Sequence, residues 1–283
     1  MTVPRAWTPT YRPGNGWLQW RIDASLALRP ELDRSSPRML STDYSHVPNF
    51  TGYMQQVFDH VRQGPSKQRI LDIPAGNGIL SAKLAELGHD TVCADINQAL
   101  PDYVHADLNA VLPFPDGDFD TVLCLEGVEH VLNPQQLIQQ LCRITKPGGR
   151  IVLSTPNLQN AWSRLQFLCT GFHYQYGPWM CRQLAPGELR DRGHIAPMSY
   201  VQLRYHFVLN GARIETVDGD KWKRKIAIPF LWPFLLWGKF WSRNLMRAEP
   251  DAIPAECDEV IRQMQSPALQ YSRSLILIAR KQE

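Results

Sequence analysis

From Arg69 onward, short apolar runs alternate with segments whose apolar residues recur every three or four positions. Arg69–Ile73, Thr91–Asp95, Phe119–Leu125, Arg150–Ser154, Arg213–Val217 and Ser274–Ala279 read as strands, with a short one over Tyr103–Asp107. Between them, Leu80, Leu84 and Leu87 lie at helical spacing before Gly88. Leu137, Ile138, Leu141 and Ile144 form a second helical stripe, with Asn133 as cap, Pro134 in the first turn and Lys146-Pro-Gly-Gly149 as the stop. Ser199 and Gln202 form a capping-box pattern for a helix through Leu209, ended by Gly211. A further helix is expected over Tyr53–Val61. Residues 156–198 read as long, aromatic and irregular, and residues 1–48 as an irregular arm packed by Trp7, Trp17 and Trp20.

Strands alternating with helices predict an α/β fold, a mainly parallel sheet with helices on both faces. The domain is expected over residues 49–283, and ligands of such sheets bind beyond the carboxyl ends of the strands. At that edge lies Asp72-Ile-Pro-Ala-Gly-Asn-Gly78, joining the first strand to its helix. Gly76 and Gly78 admit a ligand close to the backbone. Asp95 ends the second strand, 19 residues after Gly76, where a carboxylate can accept from both hydroxyls of a ribose. A dinucleotide loop would carry a third glycine, but Ser81 stands there, and Asp72 leads in; a carboxylate suits a cation better than a pyrophosphate.

With Ala94-Asp95-Ile96, Ala106-Asp107-Leu108, Leu112–Asp120, Glu126-Gly-Val-Glu-His130 and Lys146–Gly149, the run over residues 69–155 resembles the class I S-adenosylmethionine-dependent methyltransferases. The branch it resembles contains the ubiquinone and menaquinone biosynthesis enzymes. The resemblance implies a Rossmann-like seven-stranded sheet whose last two strands form an antiparallel edge pair. It implies S-adenosylmethionine as cofactor, its methionine part held by Asp72, Pro74, Ala75, Gly76 and Gly78. Asp95 would take the ribose, Ile96 would lie beside the adenine, and Asp107 with the Leu108 amide would meet the adenine edge. Pro74 departs from the family's usual glycine, fixes φ and offers no N–H.

Methyl transfer to oxygen also needs the acceptor's proton removed, by a base or by a metal that lowers its pKa. Glu126, Glu129 and His130 follow the fourth strand, and His194 precedes the Ser199 helix. The Glu-x-x-Glu-His pattern resembles the ubiquinone O-methyltransferases and the small-RNA 2′-O-methyltransferases; in the latter group it supplies metal ligands, joined by a downstream histidine. Two readings stay open: Glu126, Glu129, His130 and His194 bind a divalent ion such as Mg, or His130 or His194 acts as a metal-free base, with Glu126 orienting the cofactor. Residues 162–181 supply aromatics for a substrate cover, and Arg190–Arg192 suit a phosphate or a solvated face.

The net charge of +3 conceals an uneven distribution. Residues 221–247 hold seven Lys and Arg, no acid, and four of the nine tryptophans, leaving −4 to the rest of the chain. They open an insertion, about 221–268, between the last two strands. Its uncharged Ile226–Gly238 core is too short to span a bilayer, and its composition suits an anionic membrane surface. The expected acceptor is therefore a small molecule or glycan, lipid-linked or near a membrane. An RNA 2′-O-methyltransferase and an inactive cofactor-binding subunit of a membrane complex are the alternatives, although no separate RNA-binding module is visible. The six cysteines show no CxxC pair, and no apolar leader is apparent, so a cytoplasmic location on the inner face of a membrane is expected.

Overall fold

The computed structural model describes residues 7–10, 19–22, 49–97, 102–177, 193–222, 228–247 and 253–283. The chain forms two compact units, residues 1–41 and 42–283. In the first, β1 (Trp7–Thr10) and β2 (Gln19–Ile22) pair antiparallel, so this arm is not wholly irregular. Trp17 and the remainder of the arm lie outside the described residues.

The second unit runs α1 (Gly52–Arg62), β3 (Arg69–Asp72), α2 (Ile79–Glu86), β4 (Asp90–Asp95), β5 (Val104–His105) and β6 (Phe119–Leu125). It continues through α3 (Pro134–Ile144), β7 (Thr145–Pro156), α4 (Ala161–Thr170), α5 (Tyr200–Leu209) and β8 (Ala212–Gly219). It closes with α6 (Ile228–Arg247), α7 (Pro254–Met264), α8 (Pro267–Tyr271) and β9 (Ser274–Lys281). The seven-stranded sheet has the order β5-β4-β3-β6-β7-β9-β8. Neighbours from β5 to β7 are parallel, and β9 runs antiparallel to both β7 and β8.

Alternation along the strands sorts two cores. On one face Ile70, Leu123, Val152 and Ile276 pack with Val57, Val61, Leu80 and Leu84 of α1 and α2. On the other, Leu71, Val122, Ile151, Leu153, Leu275 and Leu277 meet Leu137, Ile138 and Leu141 of α3 and Leu203 and Phe207 of α5. The helices start where capping chemistry predicts. Asn133 accepts from the Gln136 amide at 3.1 Å, and Ser199 and Gln202 close a complete capping box.

Two expectations change. The segment 156–198 is not irregular throughout, because α4 occupies part of it. Asn160 caps it by accepting from the Ser163 amide at 2.9 Å, and Gly171 ends it at φ 73°. Its apolar residues make no single stripe, which hid it from periodicity. Similarly, Lys146-Pro-Gly-Gly149 lies within β7 rather than in a turn before it, and Gly148 at φ 71° falls where the register with β6 shifts between Thr145 and Arg150.

The insertion between β8 and β9 is helical. Its α7 is tied to the body by ion pairs: Arg204 of α5 meets Glu256 and Glu259, and Arg213 of β8 meets the same two carboxylates. Trp222 bridges to Ser272 ahead of β9. Pro229 falls in the first turn of α6, where its missing amide costs no helical bond, whereas Pro233 lies inside the helix, which forms despite the bond lost there.

Candidate active site

The parallel strands deliver their carboxyl ends to one edge. There β3 ends in Asp72, which is 4% exposed and accepts from Ser81 Oγ at 2.7 Å. Burial pushes its carboxyl up to about 7; Ser81 opposes the rise, and Asp95 adds to it. Asp95 Oδ2 accepts from the Gly76 amide and Oδ1 from the Asn97 amide, both at 2.9 Å. The loop between them is braced from within, since the Ala75 amide donates to Ala94 O and the Gly78 amide to Ala75 O. Three of its amides thus serve the loop itself. A phosphate-binding loop aims its amides at the ligand; this one instead offers two carboxylates, which suit a cationic amino acid and a ribose.

Gly76 and Gly78 have φ of 56° and 68°. A side chain on Gly78 would collide with the Tyr103 hydroxyl. Pro74 and Ile96 sit half-buried in their turns. Asp107, after β5, accepts from the Asn109 amide at 2.8 Å, and Asn109 Oδ1 accepts from the Leu132 amide at 2.7 Å. That chain of bonds links the Asp107–Leu108 turn to the segment after β6. At the junction is Gly127: a Cβ there would lie 2.8 Å from Pro74 Cδ, 3.2 Å from Leu108 Cδ1 and 3.3 Å from Cys124 Sγ. The loops of β3, β5 and β6 therefore close on one another because that position is glycine.

The second half of the edge follows β6. Glu126 takes φ 51°, its amide bonds to Ser154 of β7, and Ser154 Oγ donates to Glu126 Oε1 at 3.0 Å. Burial raises its carboxyl, and Arg273 counteracts the rise. A short 3₁₀ turn, Val128–His130, carries the next two groups. Glu129 is fully buried; Thr155 Oγ1 donates to its Oε2 at 3.2 Å, while Oε1 lacks a partner. Burial, with Glu126 nearby, holds it well above the usual carboxylate range. Its carbonyl accepts from the Ile195 and Ala196 amides at 2.8 and 3.0 Å, which brings the segment with His194 to the site.

His130 and His194 meet edge to face, ring centres 4.9 Å apart, and Tyr176 tilts onto His194 at 5.5 Å. His194 Nδ1 is buried without a partner, and burial lowers this imidazole to about 4. Ligand atoms of Glu129, His130 and His194 lie within 4.8 Å of one another. The structure thus gathers three of the four proposed metal ligands; Glu126 is not among them, its carboxylate being held by Ser154.

Three residues at this edge escaped the sequence reading. Ser81 figured only as a missing glycine, yet it hydrogen-bonds Asp72. Arg273 precedes β9, whose antiparallel course brings its start beside Pro156 at the end of β7. There Arg273 Nε donates to Gln175 at 3.2 Å and its charge acts on Glu126. Tyr53 of α1 feels both Glu126 and Asp72, and burial pushes it up to about 12. None of the three has a neighbour in sequence that marks it. Trp179 and Arg190–Arg192 lie outside the described residues.

A seven-stranded sheet with one reversed strand, and acids at the ends of β3 and β4, define a class I methyltransferase architecture. The chain belongs to the methyltransferase-domain family, whose model matches residues 53–208. Among curated proteins, the demethylmenaquinone methyltransferase of Clavibacter sepedonicus is 39% identical over 105 residues, 31% of this chain and 42% of that protein. That of Renibacterium salmoninarum is 31% identical over 147 residues, 46% of this chain and 61% of its own. The ubiquinone biosynthesis O-methyltransferase of Pseudomonas aeruginosa is 34% identical over 110 residues, 34% of this chain and 47% of its own. The chain therefore spans about half the length of the curated relatives it matches. Among solved structures, a SAM-dependent methyltransferase from Archaeoglobus fulgidus is 17% identical, covers 81% of this chain and 93% of its own, and has a TM-score of 0.49.

Proposed function

We propose that this protein transfers a methyl group from S-adenosylmethionine to an oxygen of a small molecule or glycan that is lipid-linked or close to a membrane. The observation that carries the reading is the acceptor side of the edge. Glu129, His130 and His194 converge there, and a carboxylate oxygen and an imidazole nitrogen are buried without partners. Buried polar atoms without partners are uncommon and mark a place where a ligand group completes the set.

When bound, S-adenosylmethionine supplies a methyl group already activated on a sulfonium. The chain's own residues do the rest. Asp72 would meet the cofactor's ammonium and Asp95 its ribose, and Asp107 with Leu108 would receive the adenine beside Ile96. His194, lowered to about 4, is neutral near pH 7 and can accept the acceptor's hydroxyl proton. A proton on the imidazole pair would in turn favour the ionised form of Glu129, whose Oε1 is without a partner. Alignment of acceptor, methyl and sulfur contributes much of the rate.

A second reading has its own support. One carboxylate and two imidazoles with ligand atoms within 4.8 Å suit a divalent cation, held by Glu129, His130 and His194. Such an ion would lower the pKa of the acceptor hydroxyl. Glu126 would position the neighbouring Ser154–Arg273 side rather than ligate.

The test is transfer of tritiated methyl groups into membrane extract and into RNA, with and without a chelator. Label in the lipid fraction is the expected result. Label in RNA would establish the 2′-O-methyltransferase alternative, and bound cofactor without transfer the inactive-subunit alternative. Turnover unchanged by the chelator eliminates the metal and leaves His130 and His194 as bases.

A further inference from the structure

The insertion carries the largest exposed apolar surface among the described residues, and it lies on a single helix. Along α6, Ile228, Leu231, Leu235, Gly238 and Ser242 recur every three or four residues and are half-buried. This stripe is the face seated on the fold, where α6 packs against α7 and α4. About a quarter turn round the helix from it runs an exposed aromatic stripe. Phe230, Phe234, Trp237 and Trp241 follow at the same helical spacing, and the first three are 76%, 75% and 72% exposed. Phe240 and Leu245 widen the stripe. The cations Lys239 and Arg243 fall together at helical spacing beside Trp232 and Leu236, on the other border of the outward surface from the Phe230–Trp241 stripe, with Phe240 between them.

We propose that this outer face of α6 docks the protein on an anionic lipid bilayer, with the helix lying in the plane of the headgroups. Exposed apolar stripes of this width mark interaction sites. Tryptophan and phenylalanine suit the boundary of headgroup and acyl chain, and flanking Lys and Arg suit anionic lipid. Charge chooses among occupants. Residues 221–247 contain seven cations and no acid, so a second copy would set like charges together. A nucleic acid would leave Phe230, Phe234 and Leu245 against phosphate. Of the insertion's five acids, all beyond residue 247, Glu256 and Glu259 of α7 are neutralised by Arg204 and Arg213. No helix among the described residues is long and apolar enough to cross a membrane, which leaves a surface position for α6.

The position also matters. Helix α4 starts five residues after Pro156, where β7 ends at the acceptor side. It packs against α6 and exposes Phe167 and Leu168. The docking face is therefore joined by one helix to the site, which deepens the lipid-linked reading of the acceptor and rests on it for its purpose.

The experiment is co-sedimentation of the full chain with phosphatidylcholine vesicles, with or without phosphatidylglycerol, at low and high salt. Binding of S-adenosylhomocysteine is measured separately, so that loss of docking and loss of the methyltransferase reading stay distinct. Expected is strong sedimentation with the anionic vesicles, weak sedimentation with the neutral ones, and relief by salt. Lys239→Gln and Arg243→Gln should each weaken it about fivefold. Trp237→Glu with Trp241→Glu should weaken it by roughly tenfold or more. All four changes should leave S-adenosylhomocysteine binding unchanged. The proposal is overturned if the protein ignores anionic vesicles or if the variants sediment like the parent. It is also overturned if they abolish dimerisation or RNA retention in a chain that never bound vesicles.

Discussion

The two halves of the catalytic edge are built on opposite terms. On the β3–β4–β5 side, the three acids each have partners of their own. Asp72 has Ser81, Asp95 has the amides of Gly76 and Asn97, and Asp107 has Asn109. On the β6–β7 side, Glu129 Oε1 and His194 Nδ1 are buried without partners, and burial with Glu126 nearby pushes the Glu129 carboxyl upward. A self-braced half presents a fixed shape to a ligand that is the same at every turnover. An unsatisfied half carries free energy that a second ligand releases on binding, since a buried unpaired polar group costs about 1–3 kcal/mol. The first half fits a common cofactor and the second a particular acceptor.

The largest expected effect tests the unsatisfied half. His194→Ala or Glu129→Gln should lower kcat by about 10²- to 10⁴-fold, the usual contribution of a positioned proton-transfer group. S-adenosylhomocysteine affinity, measured by calorimetry, should stay at the parent value. A matching loss of cofactor affinity would show that the two halves are not separable. Next in size is Asp95→Ala on the braced half. It strips the Gly76 and Asn97 amides of their partner and removes the ribose acceptor. Cofactor affinity should fall by roughly tenfold to a hundredfold, taking about 1–3 kcal/mol for a lost charged partner, with kcat at saturation little changed. A fall in kcat alone would reverse the assignment of the halves.

How far the sequence exposed each half follows the same division. Asp72, Gly76, Gly78 and Asp95 lie within a strand–turn–helix–strand unit, so their meeting follows from local order and parallel register. The capped starts of α3 and α5 were legible because capping is chemistry between residues three apart. Glu129 and His130 were legible too, being adjacent to β6. Their meeting with His194 depends on the Glu129 carbonyl holding the Ile195 and Ala196 amides, a contact that residue types do not announce. Arg273 was invisible for a related reason. Only the reversed direction of β9 turns a residue after the insertion into a neighbour of Glu126. Helix α4 failed to register because its stripe is broken, and α6 because its uncharged core was read only as a segment too short to span a bilayer.

The smallest effect is the one that sharpens the comparison most, because it concerns Asp72, the braced half's own perturbed group. Burial raises its carboxyl to about 7. A carboxyl raised above its unfolded value stabilises the fold at low pH, and that contribution fades as pH rises through about 7. Binding of a ligand with an ammonium has the opposite sign, because the cation prefers the ionised carboxylate. S-adenosylhomocysteine affinity should therefore rise with pH between 5 and 8, at most about tenfold per unit, levelling off above 7. Asp72→Asn should flatten that profile at a lower affinity while the folded protein loses less stability as pH rises from about 4 to about 7. The thermal shift produced by saturating ligand, followed across this range for parent and variant, reads both signs in one experiment. A parent profile that is flat, or one that falls with pH, would remove Asp72 from the cofactor's ammonium and leave Asp95 as the acid that meets the ligand.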